Sequence, residues 1–483
     1  MVDENVSRRR WLAALGATGA AGFAGCIGGD GGQDDTTTTA GSDDGGSGDG
    51  TDEGMTTTTA ETTEQAESSA SGAMKIGVLQ PTSGDLQYYG QQGLWGFYSG
   101  LAYKAGTDPL DSSSTGSHTV TVGDVDYELV VRDTQFAADT AQQLATDLVQ
   151  NEDVDMLYGC ASSGAADRVI QTVAKQANVP YMVGPAASAT TTGSSETCGE
   201  MVFRASENTA MDARSGGRYV ARETDVSSVY LFGADYSFGR AVVNNYREVL
   251  ESEGVEIVGE RFVPQGYAEW EGLLQNAQDA GAEGIVGGFT VSTLPNLFTS
   301  FLNGDYDYRV FGGFATQITN SAMGQTLVNA LGEDLTAEDI AETNMGPFTT
   351  RYHWNQYDNE INNQFVESYT STYGVVPDLF TSGCFTAASA IVQGVEESGS
   401  TEGADVASAL RGMTVTDTPK GENGYTFQEY DNQARSAMTV ADVVPTSDEW
   451  ADNWDAPVMP SEPLATISKD NTTVPADGVD CSL

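Results

Sequence analysis

The sequence predicts an α/β protein of two Rossmann-like lobes with a ligand cleft between them. Three observations predict it. Short apolar runs alternate with helical patterns of 10–15 residues, the signature of a parallel sheet covered on both faces. The alternation starts at Met74 and restarts after Arg204, with no Gly/Pro-rich linker between the two rounds. The strand-to-helix loops are rich in Ser, Thr, Tyr, Phe and Gly, and open α/β sheets bind ligands at those loops.

The N-terminus reads as an address. Arg8, Arg9 and Arg10 precede an apolar run from Trp11 to Ala24, and small residues lead into Cys26. Residues 1–26 therefore resemble a twin-arginine export signal ending in a lipobox, with Cys26 as the lipidated residue. The run is too short and too rich in Gly and Ala for a membrane span. Residues 27–73 hold 11 acids and no Lys or Arg, with Thr runs at Thr36 to Thr39 and Thr56 to Thr59. Such a segment cannot bury enough apolar surface to offset its ordering entropy, so it reads as a disordered, charge-extended tether.

In the first round, Lys75 to Leu79 predicts a strand, Tyr89 to Lys104 a helix, and Tyr127 to Val131 a strand. Asp139 to Asn151 predicts a helix, with Ala141, Leu144, Ala145 and Leu148 at helical spacing. Val154 to Tyr158 is a strand ending at Gly159, Ala165 to Asn178 a helix, and Val179 to Val183 a strand. The second round predicts helices over Met211 to Glu223, Phe238 to Glu253, Trp270 to Ala280 and Thr293 to Asn303. Its strands are Ser228 to Phe232, Glu256 to Val263, Gly284 to Gly288 and Tyr308 to Gly312.

The charge excludes one class of partner. The chain of 483 residues has 70 Asp+Glu against 21 Lys+Arg, a formal net charge of −49. Nucleic-acid binding needs clustered basic residues that displace counterions, and so acidic a chain argues against it. Residues 74–483 alone hold 57 of the acids and 18 of the bases, so the acidity belongs to the folded body. An acidic, lysine-poor surface suits a salt-rich medium that screens self-repulsion, which points to a halophilic source.

An ordered series of short motifs then becomes specific. Lys75-Ile76-Gly77-Val78 is followed by Tyr89-Gly90, Gly159, Ser162-Ser163-Gly164-Ala165 and Val179-Pro180. Pro185-Ala186-Ala187-Ser188, Phe203-Arg204 and Asp235-Tyr236-Ser237-Phe238-Gly239 complete it. Over about residues 74 to 445 the chain resembles the branched-chain amino-acid type of periplasmic solute-binding protein (type I), the receptor of an ABC importer. The resemblance implies lobe one over 74–204 plus 347–418, lobe two over 205–346 plus 419–445, a hinge at Gly346-Pro347, and a C-terminal tail over 446–483. It implies a ligand site at Tyr89, Ser162, Ser163, Gly164, Ala186, Ser188, Tyr236, Phe238, Phe289 and Thr290. Ser163, with Ser162 the alternative, matches the residue that holds a ligand carboxylate.

Amino-acid binders of this kind place an acid after the strand near Gly312, where this chain has Gly313-Phe314-Ala315. Asp235 and Asp133 are the acids available to substitute. The expected solute is therefore a small polar molecule: an amino acid, an amide, a urea-like compound or another small carboxylate. The implied partners are that solute, an ABC permease with its ATPase subunits, and the outer face of the cell membrane through the lipid anchor. The expected receptor is monomeric and closes like a hinge, and a sensing receptor of the same fold is the alternative. An exported hydrolase is a weaker one.

No cofactor or metal is expected. The sequence has only two His, His118 and His353, and neither stands at metal-ligand spacing or beside a nucleophile elbow. His118 reads as an exposed loop residue. With Cys26 lipidated, four cysteines remain in an oxidising compartment, which allows three connectivities. The expected pairs are Cys160–Cys198 and Cys384–Cys481.

Overall fold

A computed structural model of the chain describes residues 70–312, 316–332, 334–421 and 424–483. The expected signal, Cys26, and the expected tether up to residue 69 lie outside the described residues, as do Gly313, Phe314 and Ala315.

The first round of alternation folds as a six-stranded sheet. Its strands are β1 (Gly72–Gln80), β2 (Gly116–Val122), β3 (Val125–Asp133), β4 (Met156–Gly159), β5 (Tyr181–Val183) and β6 (Val202–Arg204). They lie in the order β2-β3-β1-β4-β5-β6. β1 runs parallel to β3 along its whole length, from Gly72 opposite Val125 to Gln80 opposite Asp133. Both faces of β1 are covered, as a parallel sheet requires. Met74, Ile76 and Val78 enter the core formed with Leu94, Phe97 and Leu101 of the helix Gln87–Ala105. Leu79 faces the other way, onto Ala141, Ala145 and Leu148 of the helix Ala138–Gln150.

β2 was not expected. It pairs antiparallel with β3 across a turn at Gly123, whose φ is +58°. His118 therefore lies on a strand and not in an exposed loop: it is half-buried, with its ring 6.0 Å from that of Tyr98. Val120 and Val122 are the only apolar side chains of Gly116–Val122, and two inward residues are too short a pattern to mark the strand by periodicity. The expected helix from Ala165 is present but begins at Ser163, and one π-helical turn, Ile170–Ala174, interrupts it.

The second round forms a four-stranded parallel sheet of β7 (Ser228–Ala234), β8 (Glu256–Val263), β9 (Gly284–Gly288) and β10 (Arg309–Phe311). The order is β10-β9-β7-β8. Phe232, Trp270, Leu297 and Phe301 fill the core on one face, and Val229, Val242, Tyr246 and Val286 the core on the other. The helices Glu360–Tyr373 and Thr381–Ser398 return to the first sheet, where Ala388, Ile391 and Val395 join its core.

Between the sheets, β11 (Phe348–Thr350) pairs antiparallel with Met438–Ala441, which in turn pairs with Ala465–Ile467. Part of the expected tail is thus a sheet edge. Two buried ion pairs sit among these crossing segments. Arg351 Nε donates to Asp212 Oδ1 at 2.9 Å, and Lys420 Nζ donates to Glu207 Oε1 at 2.5 Å. Glu207 also accepts from the hydroxyls of Tyr425 and Ser436. Buried charges persist only when paired in this way.

The expected cysteine pairing is corrected. The disulfide joins Cys198 to Cys481, with Cα atoms 6.1 Å apart. Cys160 and Cys384 are buried free thiols. Each is raised to about 12 by burial, which disfavours the thiolate. The tail passes Cys198 because Asp480 N–H donates to Gly193 O and Asp480 accepts from Ser195 Oγ. No spacing in the sequence encodes that route. No described helix is long and apolar enough to cross a membrane.

Candidate functional site

The strand orders locate a cleft. In the first sheet β1 is flanked by β3 and β4, and in the second β7 is flanked by β8 and β9. Connections leaving β1 and β4, and β7 and β9, therefore diverge at a topological switch point, where a crevice opens beyond the carboxyl ends of the strands. The four loops supply Tyr89, Ser163, Tyr236 with Phe238, and Phe289 with Thr290. All six residues line one cavity of about 30 Å³.

Each lobe aims an aromatic ring into the cleft by the same device. Tyr89 precedes Gly90 and Phe238 precedes Gly239, each pair in the first turn of its helix. A Cβ at Gly90 would lie 2.0 Å from Pro81 O, and one at Gly239 2.2 Å from Ala234 O. Only glycine lets the helix start approach the preceding turn so closely, and that approach sets the neighbouring ring.

The cavity is largely aromatic. Phe136 and Phe380 complete six rings with Tyr89, Tyr236, Phe238 and Phe289. The Tyr89 ring centroid is 5.7 Å from that of Phe380 and 6.2 Å from that of Phe136. Among polar groups, Ser163 Oγ accepts from the backbone N–H of Ala187 at 3.3 Å and of Ser188 at 3.0 Å. Its acceptor capacity is used, so its proton is left to donate into the cavity. Tyr89 Oη accepts from Val291 N–H at 2.9 Å and likewise keeps its proton, because burial raises that phenol well above its ordinary range.

The other expected residues lie close by with different contacts. Ser162 is the N-cap of the helix Ser163–Val169, accepting from Ala165 N. Gly164 follows in that helix and does not line the cavity. The carbonyls of Ala186 and Ser188 both accept from Arg204 Nη1, and Ser188 Oγ meets Thr190 Oγ1 at 2.7 Å. Neither Ala186 nor Ser188 lines the cavity, although Pro185 and Ala187 do. The two substitute acids are committed elsewhere: Asp133 accepts from Thr82 and Gln135 N–H groups, and Asp235 pairs with Arg240. No Asp or Glu lines the cavity among the described residues.

Among the described residues, three hydrogen bonds tie the segments that follow the strands of the two sheets across the cleft. Besides Val291 to Tyr89, Ser237 Oγ donates to Asp167 Oδ2 at 2.7 Å, and Gln317 N–H donates to Asp378 Oδ2 at 2.7 Å. Asp167 also accepts from Thr191, and burial raises its carboxyl above the usual range against those hydroxyl bonds. Asp378 is buried and also accepts from Tyr88 and Gln92. Sequence reasoning missed Asp167, Asp378, Phe136 and Phe380. Asp167 was within reach, one helical turn past Ser163. Phe380 was not, since it precedes a helix that follows no strand.

A cavity of this size holds little more than ordered water, so a solute needs the lobes apart to enter. Two α/β lobes joined by several crossing segments, with a site formed only when their loops meet, define a solute-capturing receptor. The sequence profile of the family described as "Periplasmic binding protein" matches residues 73–449, and the chain belongs to that family. The chain is 27% identical over 366 residues to Leu/Ile/Val-binding protein homolog 6 of Brucella abortus, across 74% of this chain and 84% of that protein. The leucine binding protein of Thermotoga maritima has a similar structure, with 17% identity and a TM-score of 0.66 over 82% of this chain and 99% of that one. An ABC transporter solute binding protein of R. palustris, solved with benzoate, has 17% identity and a TM-score of 0.64 over 85% of this chain and 100% of that one. At such identities the structural likeness shows the fold. Membership of the family makes the chain a binding protein and not an enzyme, and implies an extracytoplasmic location.

Proposed function

We propose that the chain is the lipid-anchored receptor of an ABC importer and delivers a small carboxylate with a flat or apolar body to a membrane permease. The observation that carries the ligand class is the cavity lining: six aromatic rings, the free protons of Ser163 and Tyr89, and no carboxylate among the described residues. An aromatic slot buries an apolar body, and hydroxyl donors take a carboxylate. A ligand ammonium would be buried without a counter-charge, which is costly. Benzoate in the R. palustris neighbour is a molecule of this class.

In this reading the lobes are residues 74–204 plus 347–418 and residues 205–346 plus 419–445, swinging about the crossing segments. The ligand stabilises the closed state because only there do both lobes touch it. Cys26, at the end of a twin-arginine signal, anchors the receptor, and the acidic tether holds it off the membrane. The acidic surface keeps it soluble in a salt-rich medium.

Replacing Ser163 by Ala removes one donor to the ligand and leaves two backbone N–H groups without their acceptor. Titration calorimetry with benzoate should show affinity reduced at least tenfold, while Ser188→Ala changes it little. Equal affinities in the native protein and Ser163→Ala would overturn the assignment of Ser163.

A further inference from the structure

A larger cavity lies away from the cleft, on the side of the crossing segments. It measures about 140 Å³, the liquid volume of roughly five waters. Its walls come from the segment after β6, from the helix Ser237–Ser252, from the stretch around Tyr430 and from the C-terminal tail that Cys481 pins to Cys198.

The charges facing it are unusual for so acidic a chain. Arg214 is half-buried, its Nε is shut off from solvent, and it forms no hydrogen bond or ion pair with any described residue. Arg435 bonds Asp470 through Nη1 at 2.7 Å, and its buried Nε has no partner. With 70 acids to 21 bases, a guanidinium beside a cavity that forms no ion pair with a described residue, and feels Glu248 and Arg218 only through their charges, is a recognition feature. Asp431 is buried on the same cavity, and among the described residues its side chain accepts one hydrogen bond, from Gln433 N–H to Oδ1. Glu248 and Asp480 stand exposed at the margin, Asp480 holding Ser195.

We propose that this cavity is a second small-molecule site that takes a zwitterion, with its carboxylate on the guanidiniums of Arg214 and Arg435 and its ammonium on Asp431. A bare anion would meet Asp431 and Glu248, and a bare cation would meet two guanidiniums; a molecule carrying both charges satisfies both sets. Burial raises the Asp431 carboxyl to about 7, against the Gln433 N–H bond and the charge of Arg204. Glycine, with five heavy atoms, suits the volume.

Saturation-transfer NMR on the full chain tests the site, with glycine, acetate and methylammonium as separate probes at fixed ionic strength. Glycine should give the strongest signal, and that signal should persist in Ser163→Ala Phe238→Ala, which disables the cleft. It should fall at least fivefold in Arg214→Gln and in Asp431→Asn, with thermal midpoints confirming that both variants fold. A glycine signal that is absent, that vanishes with the cleft variant, or that is unchanged in Arg214→Gln would overturn the proposal.

Discussion

Ser163 shows how a single residue acquires a role from its neighbours. Its oxygen is occupied by two backbone N–H groups from the loop after β5, so a residue that sequence alone leaves as either cap or ligand contact becomes a donor. Ser162 takes the capping role instead. That division was half legible: the pair of serines after a strand marked the position, but only the fold showed which one faces the cleft. His353 was legible only as a histidine near the crossing segments. It is fully buried, with Nδ1 3.3 Å from Asp378 Oδ1, and burial outweighs that attraction and lowers it to about 4. The folded protein thus keeps His353 neutral while the unfolded chain binds a proton near pH 6.5. Stability from this group is complete above that pH and declines as the pH falls toward 4. Urea unfolding at pH 7 and pH 4.5 should show a loss from this source of about 2 kcal/mol. The loss should be absent in His353→Gln, measured as the difference between the two proteins. An identical pH dependence in both would show that His353 is not held neutral.

At the scale of elements, most strands and helices were readable because the apolar periods of 2 and 3.6 are strong wherever both faces are packed. β2 escaped because one of its faces meets water and the other carries His118 and Val120 as its larger groups. The paired aromatic-glycine helix starts were visible as motifs, but the reason for them, the approach to Pro81 O and Ala234 O, was not. Gly239→Ala should displace the start of the helix Ser237–Ser252 and with it Phe238. Benzoate affinity should fall more than tenfold while the far-UV spectrum stays native; unchanged affinity would remove the device from the account. The bond from Ser237 to Asp167 joins that helix start to the opposite lobe. Ser237→Ala should therefore raise the open population, read as a larger radius of gyration in small-angle scattering of the ligand-free protein.

At the scale of the whole molecule, long-range pairing was the least legible part of the fold. The expected disulfides joined cysteines by the loops they were thought to brace, whereas the tail carries Cys481 across 283 residues to Cys198. The ion pairs Arg351–Asp212 and Lys420–Glu207 lie among the crossing segments and link stretches more than 130 residues apart, which no local pattern encodes. Lys420→Met leaves Glu207 charged and buried, and should cost about 3–5 kcal/mol in urea unfolding. Adding Glu207→Leu should recover most of that loss, and no recovery would mean that the pair's partners, not its charges, hold the site. The central claim is that the cleft selects a small carboxylate with an apolar body over a zwitterion. Titration calorimetry of the Arg214→Gln protein, in which the second cavity is disabled, tests it most directly, with benzoate and leucine compared in high salt. Benzoate binding at one site per chain, at least a hundredfold tighter than leucine, is the predicted result; tight leucine binding with no heat from benzoate would contradict it.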